Sequence, residues 1–210
     1  MNDTVLYIDD DASNLLVLKT TCAEELNVIT AASGADFSVP GTAVSGLGLA
    51  GYQNVRGLAL DPASDRIFVA DTRADNVKVI DRDGTLLATI GQEGDAAGQL
   101  NSPTYIALSE DRLYVTDTLN ARIQVFDKEG GFVSSFGERG LYVGNLTRPK
   151  GIAVSEDGLV YVIESYYDYL LVFDREGQLL LPIGGTGHRP GQFYLPSGVW
   201  AGQGGRVYVS

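Results

Sequence analysis

From residue 55 onward the chain alternates short apolar runs with turn residues at a fixed period. Aligning "GLALDPASDRIFVADT" (57–72), "YIALSEDRLYVTDT" (105–118), "GIAVSEDGLVYVIES" (151–165) and "GVWAGQGGRVYVS" (198–210) superposes Phe68-Val69, Tyr114-Val115, Tyr161-Val162 and Tyr208-Val209. The steps between them are 46, 47 and 47 residues. Each of the first three copies continues with a second apolar run, "VKVID", "IQVFD" or "LLVFD". A turn, "RDG", "KEGG" or "REG", leads into a third run ending in Gly. Runs of β-branched and aromatic residues between Gly, Asp, Asn and Pro clusters announce short antiparallel strands. No segment of the repeat carries a helical period.

Four such strands per unit, with nothing helical between, is the pattern of a propeller blade. The expected fold class is mainly β: a partial β-propeller of three full four-stranded blades plus fragments, preceded by a short β-α-β segment. Blades are expected over residues 55–210, and residues 38–54 read as a linker with the end strand of an incomplete blade. The pattern stops within a strand at Ser210. A closed ring needs at least four blades, so the array reads as truncated, or as a half that closes its ring with a second copy.

Residues 1–37 lie outside the period. "TVLYI" reads as a strand, Asp11 or Ser13 as a helix cap, and Leu15, Leu18, Cys22 and Leu26 as one helical face. "NVITAA" is a second strand, giving β-α-β. The first strand ends in Asp9, Asp10 and Asp11. Adjacent carboxylates at a strand's C-terminal end, before a helix, suit a hard cation such as Mg²⁺.

Two family resemblances follow from these residues. "GQLNSPTYIAL…LYVTDTLNARIQVFD" resembles the NHL repeat, and the likeness runs from about residue 42 to the end. The third copy departs from it at "ESYYDYLL". "VLYIDDDASNLLVLKTTCAEELNVITAASGAD" resembles the opening of a response-regulator receiver domain. That resemblance implies a Mg²⁺ site at Asp9 and Asp10 and a part in two-component phosphorelay signalling. It covers about a third of a receiver, and the phosphoacceptor Asp and the Lys-Pro pair that the family requires are missing. Asp61 falls in a repeat turn, and "RPKG" has the order reversed.

Composition narrows the function classes. A formal charge of −12 repels phosphate backbones and argues against a nucleic-acid partner. A single Cys precludes an internal disulfide, and a single His precludes a zinc site of several imidazoles. No run reaches membrane-spanning length and no signal peptide shows at the N-terminus, so the expected address is cytoplasmic. NHL-like propellers include a peptide-amidating lyase and resemble calcium-dependent lactonases, but those implied sites need several histidines or several channel-facing acids. The innermost strands, "RGLAL", "TYIAL", "GIAV" and "GVWA", offer little that is polar. The expectation is a non-enzymatic binding module with no cofactor other than Mg²⁺ at the aspartate pair.

Alternation of strand direction sorts the turns by face. One face receives an acidic rim of tight turns, which Asp and Gly chemistry alone explains. The other receives the long crossings between blades, with Arg139, Tyr142, Arg148, Tyr166, Tyr167, His188, Arg189 and Tyr194. Arg and Tyr are favoured interface anchors, so these eight are the expected contacts for a protein or small-molecule ligand. Asp71 and Asp117, at the same place in successive units, read as a turn hydrogen bond repeated once per blade rather than as a metal ring.

Overall fold

The computed structural model describes residues 4–7, 27–30 and 52–210. Strands β1 (Thr4–Tyr7) and β2 (Asn27–Thr30) pair in parallel, Thr4 opposite Asn27 and Tyr7 opposite Thr30. A parallel pair requires a crossover connection, as the β-α-β reading expects. The helix expected between them and the aspartates Asp9 and Asp10 fall on residues outside those described.

Three four-stranded antiparallel meanders follow. The first holds β3 (Val55–Asp61), β4 (Arg66–Asp71), β5 (Asn76–Ile80) and β6 (Leu86–Ile90). The second holds β7 (Pro103–Leu108), β8 (Arg112–Asp117), β9 (Arg122–Asp127) and β10 (Phe132–Phe136). The third holds β11 (Pro149–Val154), β12 (Val160–Glu164), β13 (Tyr169–Phe173) and β14 (Leu179–Gly184). A fourth sheet has two strands, β15 (Val199–Ala201) and β16 (Val207–Val209). The first strands β3, β7, β11 and β15 touch in succession, so they are the innermost strands and the sheets are blades around them. Among the described residues no helix is long and apolar enough to cross a membrane.

Period-2 alternation explains why the strands read as unbroken apolar runs. The central strands of the second and third blades are covered on both faces, one by the blade before and one by the blade after. Phe68, Ala70, Val77 and Val79 of the first blade pack on Ile106, Leu113, Val115 and Phe126 of the second. Tyr114, Ile123 and Val125 of the second pack on Ile152, Val162 and Leu171 of the third. Ile163 and Leu170 continue the core onto Val199 and Val207 of the fourth. Each fully buried large side chain contributes about 2 kcal/mol of transfer free energy. Blade-to-blade contact therefore supplies most of the cohesion.

The crossings are plugged in the same way each time. Leu100 and Leu146, both fully buried, sit against Gly91 and Gly137, which end the outer strands. At Gly137 φ is 83°, and a Cβ there would overlap the Leu146 side chain. Only glycine satisfies both demands. The spacing "FG…GNL" is a packing device.

Candidate functional site

The second strand of every complete blade ends in a buried acid that seizes the incoming crossing. Asp71 accepts backbone N–H bonds from Gln53 at 3.0 Å and Asn54 at 2.9 Å, and pairs with the Lys78 ammonium at 2.6 Å. Asp117 accepts the Asn101 N–H at 2.7 Å, with Asn120 Nδ2 and Arg122 Nε both at 2.8 Å. Glu164 accepts the N–H groups of Thr147 at 2.7 Å, Arg148 at 2.9 Å and Tyr166 at 2.8 Å. Burial alone would raise the Asp71 carboxyl, but Lys78 and the two backbone donors outweigh it and hold it below its ordinary value. The neighbouring hydroxyls tie blades together: Thr72 Oγ1 donates to the Pro103 carbonyl and Thr118 Oγ1 to that of Pro149. The recurring acid is thus a clamp. Among the described residues no three His, Cys, Asp or Glu side chains are grouped so as to hold a metal.

The acidic rim is locked in a similar way. Asp81, Asp127 and Asp174 each accept N–H bonds from their own turn. Lys128 reaches back to Asp61 of the preceding blade at 3.2 Å, and Arg175 likewise reaches Asp111. These turns surround a hollow of about 540 Å³ lined by Tyr114, Lys128, Glu110, Glu156 and Arg175.

The crossing-loop residues predicted from sequence divide into three groups. Tyr142 and Tyr167 line one 120 Å³ hollow with Leu141, Val143 and Tyr169. Tyr166 stands edge-on to Tyr167, with centroids 4.8 Å apart, and Arg139 Nη2 donates to the Leu119 carbonyl at 2.8 Å. A second group lies on the next crossing: His188 and Tyr194 stack at 4.6 Å, and the Arg189 N–H donates to Gln192 Oε1. Arg148 stands apart from both. Its backbone is held by Glu164, and its charge acts on Lys150 of β11.

Sequence reasoning missed the apolar part of this face. Leu141 is 83% exposed, Tyr142 82%, Leu195 67% and Tyr166 62%, with Leu119 and Val143 also in the open. The signal was available, because "LYV" stands in one crossing where its neighbours have "DAA" and "HRP". It also missed the cations at the start of the inner strands, Arg56 in β3 and Lys150 in β11. The channel is more polar than its apolar run suggested.

Three complete four-stranded blades and a two-stranded fourth, packed face to face and joined through their inner strands, define an incomplete β-propeller. Solved structures of that architecture resemble it. A streptogramin B lyase matches with a TM-score of 0.58 at 13% identity, over 74% of this chain and 47% of that one. A catalytically inactive virginiamycin B lyase from Staphylococcus aureus, with quinupristin, gives 0.57 at 16% identity, over 84% of this chain and 52% of the other. The WD40 repeats of RRP9 give 0.54 at 15%, over 70% and 41%. The chain thus spans about half the length of these structures, and at such identities the likeness is one of fold. No protein-family model matches the chain, and no curated protein matches it.

Proposed function

We propose that this chain is a non-catalytic binding module of NHL type whose protein partner docks on the crossing-loop face. The observation that carries the reading is the exposed set Leu119, Leu141, Tyr142, Val143 and Tyr166, contributed by neighbouring loops of the second and third blades. Clustered exposed aliphatic and aromatic side chains mark interaction surfaces, and Tyr is a frequent anchor in them. The opposite face supports this choice, since Asp61, Asp81, Asp111 and Asp127 there are engaged in turn locks and blade-to-blade ion pairs.

The test is a comparison of baits. A Leu141→Ser/Tyr142→Ser/Tyr166→Ser chain and a Glu110→Gln/Glu156→Gln chain are immobilised beside the unaltered one. The reading expects one protein to be retained by the unaltered and rim-altered baits and lost from the loop-altered bait. Retention by all three baits, or loss from the rim-altered bait alone, overturns it.

A further inference from the structure

The 540 Å³ hollow on the rim face lies where the first turns of the three complete blades converge, and every residue lining it belongs to one of those blades. Leu60, Leu108 and Val154 stand at equivalent positions near the ends of the inner strands β3, β7 and β11. All three are half-buried and give the hollow an apolar side.

Tyr114 of β8 reaches the same hollow although it is only 1% exposed. Its ring packs between the second and third blades in the cluster that holds Val160 and Phe173. Its hydroxyl makes no hydrogen bond within the described residues. Among those residues Asn76 Oδ1 is the sealed side-chain atom without a partner, so the Tyr114 hydroxyl, unpaired but not sealed, is reached from the hollow it lines. The equivalent Phe68 of the first blade is fully buried with no hydroxyl at all, so packing does not require one. A polar group held this far from bulk water without a partner costs free energy. What enters the hollow can relieve that cost.

The charge of the hollow selects the sign of its ligand. Its two cations are already neutralised across blade boundaries, Lys128 by Asp61 at 3.2 Å and Arg175 by Asp111. Glu110 and Glu156, at equivalent turn positions of the second and third blades, belong to none of the ion pairs among the described residues. An anion would have to part the Lys128–Asp61 pair, whose side chains are 14% and 5% exposed. A cation meets two free carboxylates instead. Among the described residues no three acids are grouped so as to hold a metal ion, which favours an organic cation.

We propose that this hollow binds a small organic amine as its ammonium ion. The aliphatic body lies on Leu60, Leu108 and Val154. The ammonium group is drawn by Glu110 and Glu156 and donates a hydrogen bond to the Tyr114 hydroxyl oxygen. Apolar burial and a charge-assisted hydrogen bond supply the two halves of recognition. The site is independent of partner docking on the crossing loops.

Calorimetric titration at low salt tests it with hexylamine, the neutral hexanol, the anion hexanoate, and methylamine as the head group alone. The expected result is saturable binding of hexylamine and a much weaker response to the other three. Tyr114→Phe should weaken hexylamine binding by roughly fivefold while Tm stays unchanged, because the hydroxyl has no partner in the fold. Glu110→Gln/Glu156→Gln should weaken it by about fivefold, while Asp83→Asn retains it. Circular dichroism checks that each variant is folded. Binding of hexanol or hexanoate equal to that of hexylamine, absence of saturation, or affinity unchanged in Tyr114→Phe overturns the proposal. So does a lowered Tm in Tyr114→Phe, which would assign the hydroxyl to the fold.

Discussion

Replacing Asp117 by Ala tests the clamp at its most connected member. The carboxylate is fully buried and gathers Asn101 N–H, Asn120 Nδ2, Arg122 Nε and Gln124 Nε2. Without it, a guanidinium only 17% exposed loses its counterion, though Arg122 Nη2 keeps the Ala96 and Gln99 carbonyls. Removing one partner of a buried pair costs about 3–5 kcal/mol, because the remaining charge is stranded. For a chain of this size each kcal/mol lowers Tm by roughly 2–4 °C, so the expected fall is on the order of 10 °C. Thermal unfolding followed by circular dichroism measures it, beside the exposed-turn variant Asp83→Ala, which should stay within about 0.5 kcal/mol. Adding Arg122→Ala to Asp117→Ala should cost less than the sum of the two single changes. If Asp117→Ala melts within about 2 °C of the unaltered protein, the clamp is a surface contact and the reasoning fails.

Acid should loosen the array from its clamps outward. Asp71 and Asp61 both have folded-state values below the ordinary 3.8. At Asp61, burial pushes the other way and is outweighed by the Ser64 hydroxyl, Lys128 and the Ala63 N–H. A depressed folded value means stability that is present above the ordinary value and lost as pH falls through the folded one. Urea midpoints should therefore drop below about pH 4, and Asp71→Asn should flatten that dependence; a midpoint insensitive to pH in that range contradicts it. Gly57→Val should destabilise by about 1–3 kcal/mol, since its Cβ would meet the Thr104 oxygen and Tyr105 Cα, both at 2.8 Å. Denaturant unfolding checks this, and a neutral result would mean that β3 and β7 can separate without penalty.

The blades were legible because a strand sandwiched between two neighbours must be apolar on both faces, so "RLYVT" and "VYVI" betray their burial directly. The acid at the end of each second strand was legible as a repeated hydrogen bond. Its donors from the incoming crossing were not, because they are backbone N–H groups of Gln53, Asn54, Asn101, Thr147 and Arg148, which leave no mark in side-chain identity. The rim was legible as tight acidic turns, but the pairing of Lys128 with Asp61 depends on which turn the next blade brings alongside. Arg56 and Lys150 were passed over for a similar reason. Each is one polar residue at the start of an apolar strand, and a single polar position does not stand out in an apolar run. The eight crossing-loop residues were chosen by type and face, and geometry sorts them into a Tyr142–Tyr167 hollow, a His188–Tyr194 stack and an Arg148 whose backbone is held by Glu164. Asp9 and Asp10 lie beyond the described residues, so the Mg²⁺ expectation stands as first drawn from sequence.

Photo-crosslinking from single positions tests the working face most directly. A benzophenone amino acid is placed at Tyr142 or Tyr166 on the crossing loops, and at Asp83 or Glu110 on the acidic rim, and the protein is irradiated in its source cells. The binding-module reading predicts that positions 142 and 166 capture the same protein while 83 and 110 capture none. Capture from the rim with nothing from the loops would contradict it.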